Sequence, residues 1–329
     1  MLAIEYPRVR PTHLPFCSTV SNPRRWAVIL AGGDGLRLRP LTRFISGDDR
    51  PKQFCRVLGG KTLCEQALSR AERSIARQRT ILALTAAHEA YYDRQSAHPS
   101  PITLLQPCNR GTAPAIILSL LHIVEQDPDA MVAVLPSDHY YSDEAAFTVA
   151  LESAFHASGV HHDSVILLGA RPSAPEIEFG WIRVGSQLGK HLFKVRGFEE
   201  KPALREAERL FREGALWNTF VMVGRAINFL WMSFCSLPEL VSDLMRPSIV
   251  SEPSGVLRVS SALYSVIPTV DFCSKVLTPN AFRLLAMPLN QVEWHDLGRE
   301  DRVIKVAQSH KDKQPGWIQA WNRAQASMN

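Results

Sequence analysis

Trp26-Ala27-Val28-Ile29-Leu30-Ala31-Gly32-Gly33-Asp34-Gly35-Leu36-Arg37-Leu38-Arg39 opens as an unbroken apolar run and closes on glycines and arginines. Apolar residues without polar alternation predict a strand covered on both faces, and Gly32-Gly33 marks where the chain leaves the sheet. Glycines after a strand let backbone N–H groups approach a phosphate closely, and Arg37 adds a charge-assisted fork. Two common nucleotide-binding spacings are excluded. The dinucleotide fingerprint would place a glycine where Leu38 stands, and the Walker spacing would end in Gly-Lys-Ser or Gly-Lys-Thr. A further cation follows in Arg50-Pro51-Lys52-Gln53-Phe54.

Outward from this stretch, strand and helix alternate. Thr80 to Thr85, Ile102 to Leu105, Met131 to Leu135 and Ser164 to Gly169 read as strands. Helices are predicted over 86–94, over 113–125 with Pro114 in the first turn, and from Ser142 with Asp143 and Glu144 near the positive end. Thr62 and Glu65 form a capping box ahead of Leu63, Ala67, Ala71 and Ile75, and residues 34–60 read as a long loop. The alternation predicts an α/β fold with a Rossmann-like, mostly parallel sheet flanked by helices. Past 170 the pattern loosens into a hairpin over 180–198, a helix over 203–213, strands near 220–223 and 284–288, and a polar helical tail after Asp301. With no repeat and no low-complexity linker, the expected organisation is an extension over 1–23, one domain over 24–300 divided at 170, and a tail over 301–329.

Composition narrows the function classes. The chain has 329 residues, 46% of them hydrophobic and 21% charged, which excludes a disordered protein. No apolar run approaches the roughly 20 residues of a spanning helix, and the first twenty residues lack a secretory h-region. Six cysteines without metal or paired spacing fit reduced thiols in a cytoplasmic protein. The net charge of +5 is uneven, because residues 1–61 carry eleven Lys or Arg against four acids. Such a segment suits nucleic acid, an anionic surface or a phosphate-bearing small molecule. Nucleic acid is the least favoured, since neither an aromatic stacking pattern nor a basic helix accompanies the charge. His161-His162 and the other histidines show no triad or metal spacing.

Five further stretches carry polar groups at strand ends or turns. They are Gln106-Pro107-Cys108-Asn109-Arg110-Gly111-Thr112-Ala113-Pro114-Ala115-Ile116, Pro136-Ser137-Asp138-His139, Phe198-Glu199-Glu200-Lys201-Pro202, Trp217-Asn218-Thr219-Phe220 and Trp294-His295-Asp296-Leu297-Gly298. Taken singly, each has a bland reading. Thr112 would cap a helix, Asp138 a turn, the Glu200-Lys201 pair would be a solvated turn, and Asp296 would sit in a surface turn. A carboxylate at the carboxyl end of an apolar strand, as at Asp138, also lies where open α/β sheets bind ligands.

Together with Gly-Gly-x-Gly-x-Arg-Leu-x-Pro-Leu-Thr and Pro-Lys-Gln-Phe, these stretches resemble the signature of the sugar-1-phosphate nucleotidyltransferases, closest to the mannose-1-phosphate guanylyltransferase branch, over about Trp26 to Gly298. The resemblance implies that family's glycosyltransferase-A-like fold and transfer of a nucleotidyl group from a nucleoside triphosphate to a sugar-1-phosphate. It implies nucleotide contacts at Leu30, Ala31, Gly32, Gly33, Gly35, Gln106, Gly111 and Thr112, with Arg37 and Lys52 on the phosphates. It further implies Mg²⁺ on Asp138 and Asp296, the sugar phosphate on Lys201, and sugar contacts from Gly180 in Phe179-Gly180-Trp181-Ile182, Glu200 and Asn218. Arg37, Lys52, Asp138 and Lys201 are the expected catalytic set.

The match has departures. Arg110-Gly111 stands where Arg-Asn is usual, Phe220 replaces a glycine, and in Thr269-Val270-Asp271-Phe272-Cys273-Ser274-Lys275-Val276 a valine replaces the final glutamate. GTP with mannose-1-phosphate is the first expectation. Glucose-1-phosphate or another hexose-1-phosphate with a different triphosphate, and a non-catalytic nucleotide-sugar-binding relative, are the alternatives. The expected partners are these small molecules, with neither nucleic acid nor membrane, and self-association is left open.

Overall fold

The computed structural model of the chain describes residues 22, 24–93, 99–246, 249–309 and 314–326, so the expected extension over 1–23 lies, apart from Asn22, outside the described residues. The opening apolar run is β1 (Arg25–Leu30). After it come α1 (Arg39–Ser46), α2 (Leu63–Ala71), β2 (Thr80–Thr85), β3 (Ile102–Gln106), α3 (Thr112–Gln126), β4 (Met131–Pro136), β5 (Tyr140–Tyr141), α4 (Glu144–Val160) and β6 (Val165–Ala170). The second half contributes β7 (Gly180–Gly189), β8 (Leu192–Glu200), α5 (Leu204–Arg212), β9 (Leu216–Arg225), α6 (Ala226–Ser236), α7 (Pro238–Leu244), β10 (Ile249–Ser251), β11 (Val256–Val259) and α8 (Ser261–Val266). It ends with β12 (Leu284–Pro288), β13 (Trp294–His295), α9 (Glu300–Ser309) and α10 (Trp317–Ala326).

Eleven strands make one sheet in the order β10-β11-β3-β2-β1-β4-β9-β6-β12-β8-β7. From β11 to β4 the neighbours are all parallel. Strand β9 then enters antiparallel between β4 and β6, and the β7–β8 hairpin adds further antiparallel pairs. The α/β class holds, but the sheet is mixed instead of mostly parallel: β11 and β12 of the second half join parallel to β3 and β6, while β10–β11, β4–β9, β6–β9, β8–β12, β7–β8 and β7–β9 are antiparallel.

The unbroken apolar character of β1 follows from its two covered faces. Trp26 and Val28 pack into a cluster with Ile116 and Leu120 of α3 and Phe229 of α6. Ala27 and Ile29 point the other way, into a cluster with Ala67 and Leu68 of α2 and Phe147 and Leu151 of α4. Successive strand side chains alternate faces, so only a continuous run satisfies both layers.

Local differences from expectation have local causes. Residues 34–60 are not a plain loop, because α1 forms there with Pro40 in its first turn and Gly47 at φ 77° closing it. The segment predicted as a helix over 86–94 is a 3₁₀ segment over Ala86–Tyr91. Asp143, not Ser142, caps α4, its Oδ1 accepting from the Ala145 and Ala146 N–H groups at 2.8 and 2.9 Å. Ser142 instead exchanges hydrogen bonds with Glu293 next to the β5–β13 pair. The tail is helical as expected, but its inner face is apolar: Val303, Val306 and Trp321 pack on Leu38, Leu41, Val57 and Leu297.

Candidate functional site

The chain runs from β1 to β2 and β3 on one side, then crosses through α3 to β4 on the other side of β1. A crevice opens outside the carboxyl ends of strands at such a reversal. Here the strand ends Leu30 and Pro136 are paired neighbours, and both line a cavity of about 310 Å³ together with Gly33, Asp138, Gly111 and Asp271. A larger surface cleft of about 720 Å³, lined by Arg50, Arg56, Lys61 and Tyr91 among others, is lined by neither of these strand ends nor by Asp138.

The glycine loop is pinned from beneath. Gln53 Nε2 donates to the carbonyls of Ala31 at 3.0 Å and Gly33 at 2.7 Å. Gly35 sits at φ +61°, and a Cβ there would lie 3.2 Å from the Lys52 backbone nitrogen, so the loop closes on the lysine turn in a conformation and a tight space that favour glycine. Asp34 accepts from Asn109 Nδ2 at 3.3 Å and faces His88 Nε2 at 3.3 Å, tying the loop to the segment after β3. Arg37 is two-thirds exposed and engages Glu178 at 2.8 Å.

Lys52 is buried and stands at the centre. Its Nζ donates to the main-chain oxygens of Asp296 at 2.6 Å and Leu297 at 3.0 Å, and lies 3.2 Å from Asp138 Oδ2. An ammonium has three donors, and three acceptors surround this one. Asp296 in turn accepts from Arg302 Nη1 at 2.8 Å and from the Gly298 N–H at 3.1 Å. Burial alone would raise the Asp296 pKa, but Lys52, His139 and Arg302 outweigh it and hold the carboxyl below its usual value. Burial lowers the His139 pKa, with Lys52 adding to it against Asp138, and Trp294 Nε1 donates to His139 Nδ1 at 3.2 Å. A Mg²⁺ ion usually takes one or two carboxylates and completes its shell with water and substrate phosphate oxygens. Asp138 and Asp296, both tied to Lys52, fit that donor set. Among the described residues no group of three or more His, Cys, Asp or Glu forms a protein-only metal site.

At the other end of the cavity Gly111 takes φ +79°, and a Cβ there would lie 2.3 Å from the Val270 oxygen. Gly111, not Thr112, is the cap residue of α3. Thr112 instead donates its hydroxyl to Asp271 Oδ2 at 3.2 Å and accepts from the Phe272 N–H at 2.8 Å. Gln106 is buried and accepts from the Tyr264 hydroxyl at 2.8 Å. Leu30, Gly32, Gly33, Gln106, Gly111 and Thr112 thus share one cavity. Ala31 is buried beneath the loop, its carbonyl taken by Gln53.

Gly180, Glu200 and Asn218 form a neighbouring group. A Cβ on Gly180 would meet Glu200 Oε2 at 2.6 Å and Asn218 Cβ at 3.4 Å. Burial, with Asp271 adding to it, lifts the Glu200 pKa, while Lys201 opposes the shift from 3.6 Å away. Lys201 Nζ is otherwise exposed at the rim. Phe179, Trp217 and Trp294 pack edge to face between this group and His139.

Three of the five non-glycine residues at positive φ among the described residues stand in these segments: Lys201 at 47°, Phe220 at 62° and Leu297 at 50°. Each such conformer costs about 1–3 kcal/mol and persists only where surrounding structure dictates it. At Leu297 the reason is visible, since the bend turns two successive carbonyls toward Lys52. Sequence reasoning did not find Arg302, Glu176 or Glu178. Arg302 Nη2 lies 2.6 Å from Glu176 Oε2 and 3.1 Å from Glu178 Oε2.

Comparison with known proteins gives a consistent picture. Residues 26–313 match the family described as Nucleotidyl transferase. The xanthan biosynthesis protein XanB of Xanthomonas campestris is 34% identical over 290 residues, covering 85% of this chain and 59% of XanB. The alginate biosynthesis protein AlgA of Pseudomonas aeruginosa is 33% identical over 288 residues, 85% of this chain and 58% of AlgA. A Sinorhizobium fredii protein named mannose-1-phosphate guanylyltransferase is 28% identical, over 88% of this chain and 56% of its own length. The chain therefore spans less than two thirds of these relatives. A Thermus thermophilus structure described as mannose-1-phosphate geranyltransferase superposes with a TM-score of 0.72 at 31% identity, covering 84% of this chain and 76% of that one.

Proposed function

The chain belongs to the nucleotidyl transferase family, and from that premise we propose that it transfers the nucleotidyl group of a nucleoside triphosphate to a sugar-1-phosphate. We take GTP and mannose-1-phosphate as the pair, giving GDP-mannose and pyrophosphate. One observation carries the reading: Lys52, Asp138 and the Asp296-Leu297 turn converge at the carboxyl ends of β1 and β4, beside a glycine loop. The names of the Sinorhizobium and Thermus relatives support the sugar.

In this reading the nucleoside enters between Gln106 and Gly111, and its phosphates lie over Gly32 to Gly35 toward Arg37. The sugar-1-phosphate enters from Gly180 and Glu200, with Lys201 reaching its phosphate from the rim. A phosphate oxygen of the sugar-1-phosphate forms a bond to the α-phosphorus as the bond to the bridging oxygen of pyrophosphate breaks. The attacking oxygen is already anionic, so no general base is needed. Asp138 and Asp296 would hold Mg²⁺, which when bound supplies positive charge against the phosphates. The chain's own part is positioning and charge neutralisation. Lys52 reaches substrate by exchanging its longest contact, Asp138, for a phosphate oxygen while the two carbonyls hold it in place. With thiols at 55, 64, 108, 235 and 273 all free, a reducing cytoplasm is the fitting compartment.

The test is pyrophosphate release across the four common nucleoside triphosphates crossed with mannose- and glucose-1-phosphate. GTP with mannose-1-phosphate should give the highest kcat/KM. No release from any pair would overturn the reaction, and release confined to another pair would overturn the substrate assignment while keeping the reaction class.

A further inference from the structure

We propose that Phe220 is a selectivity wall: its ring narrows the acceptor end of the cavity, so that unsubstituted hexose-1-phosphates are accepted and N-acetylhexosamine-1-phosphates are rejected. The inference rests on the nucleotidyl-transfer reading above and names a residue that limits its substrate class.

The observation begins in the sheet register. Along β6 and β9, Leu168 pairs with Val221, but Gly169 pairs with Asn218, so Thr219 and Phe220 are extra residues on the β9 side. Such bulges re-aim side chains and concentrate next to active sites. Thr219 closes the gap by donating its hydroxyl to the Leu168 carbonyl at 2.6 Å. Phe220 is left at φ +62°, a conformation that suits glycine and is an outlier for a bulky residue. Its N–H is committed to Asn218 Oδ1 at 3.1 Å. Phe220 lines the same cavity as Asp138 and Asp271, and β1 and β4 separate its strand from β2, which carries Ala83 and Thr85.

A strained phenylalanine has two effects here that a glycine would not. Its half-buried side chain, packed on the apolar cluster that holds Val28 and Ile116, takes up lining of the cavity that it shares with Asp138 and Asp271, and it adds an apolar surface there. The acceptor enters from Gly180, Glu200 and Asn218; the Phe220 N–H is bonded to Asn218 and Glu200 feels the Asp271 charge, so an acceptor that reaches Asp138 from there passes this ring. An added acetamido group would compete with the ring for that space, and the Phe220 N–H, given to Asn218, is not free to meet it. Steric pockets of this kind discriminate by one to two orders of magnitude.

The experiment measures the ratio of kcat/KM for mannose-1-phosphate over N-acetylglucosamine-1-phosphate in wild type, Phe220→Gly and Phe220→Asn. Glycine relaxes the backbone, and asparagine tolerates the left-handed region should the glycine variant fold poorly. Binding of the two sugar phosphates is measured alongside by calorimetry. The ratio should fall at least tenfold in either variant, mainly through gained turnover and affinity for the acetamido sugar. A purely structural role would lower both sugars by one factor; an unchanged ratio in an active, folded variant therefore overturns the wall. If wild type binds sugar phosphates but turns over none, the transfer reading fails alone, and the wall then stands or falls on the binding ratio.

Discussion

Arg302 Nη1 donates to Asp296 Oδ1 at 2.8 Å while Nη2 reaches Glu176 and Glu178. One largely buried guanidinium thus joins α9, the Trp294 to Gly298 turn and the segment before β7. Asp296 and Arg302 expose only 18% and 12% of their side chains, so the charges left behind on truncation would be poorly solvated. Arg302→Ala should lower stability by about 3 kcal/mol, read by urea denaturation, and reduce turnover at least tenfold. Arg302→Lys should recover only part, because one ammonium cannot reproduce the fork. Wild-type stability in Arg302→Ala would show that the network is ornamental.

Lys52→Ala should cut pyrophosphate release by about 10²–10³-fold, as expected when a preorganised charge at a reacting phosphate is removed. Lys52→Arg should not restore it, since a planar guanidinium does not fit between the carbonyls of residues 296 and 297. Rapid turnover in either variant would remove Lys52 from the catalytic set.

Gly111→Ala places a methyl group 2.3 Å from the Val270 carbonyl at a φ of +79°. The backbone strain alone is worth about 1–3 kcal/mol, and relief by movement would pull α3 from the cavity. Both the denaturation midpoint and affinity for the nucleoside triphosphate should fall. A variant with wild-type affinity would argue that the nucleoside lies elsewhere.

Burial lowers the pKa of His88 against the opposing pull of Asp34. Above the ordinary histidine value the ring is neutral folded and unfolded, and pH has no leverage. As pH falls below about 6.5, the unfolded chain binds the proton first, so stability declines until the pH passes below the native value. His122 and His139 are shifted the same way and add to the slope. Unfolding free energy should therefore drop between pH 7.5 and pH 5.5, and His88→Gln should flatten the change. Equal slopes in the two proteins would exclude His88 as a contributor.

The parts legible in the sequence were those whose cause is local. The two-faced run of β1, the Thr62–Glu65 capping box and the β7–β8 hairpin each announce themselves within a few residues. Helix α1 carried its own signals in Pro40 and Gly47 but sat among glycines and charges that read as loop. Arg302 was invisible for another reason: its partners Glu176 and Glu178 are more than 120 residues away, and nothing in an amphipathic helix marks one arginine as facing inward. Phe220 stood out as a substitution, yet only the broken register with β6 reveals that it occupies a left-handed conformation.

Lys52 is fastened to carbonyls 244 and 245 positions further along the chain. Contacts of such separation form late, because the intervening loop must be closed before they repay it. The parallel β3-β2-β1-β4 block and glycine loop can assemble from the first half, but Lys52 at their mouth has only Asp138 to hold it until the segment around Leu297 docks. Competence therefore arrives only with that last docking, and a chain interrupted between β4 and that segment would possess the cradle without the two carbonyls that fasten its lysine.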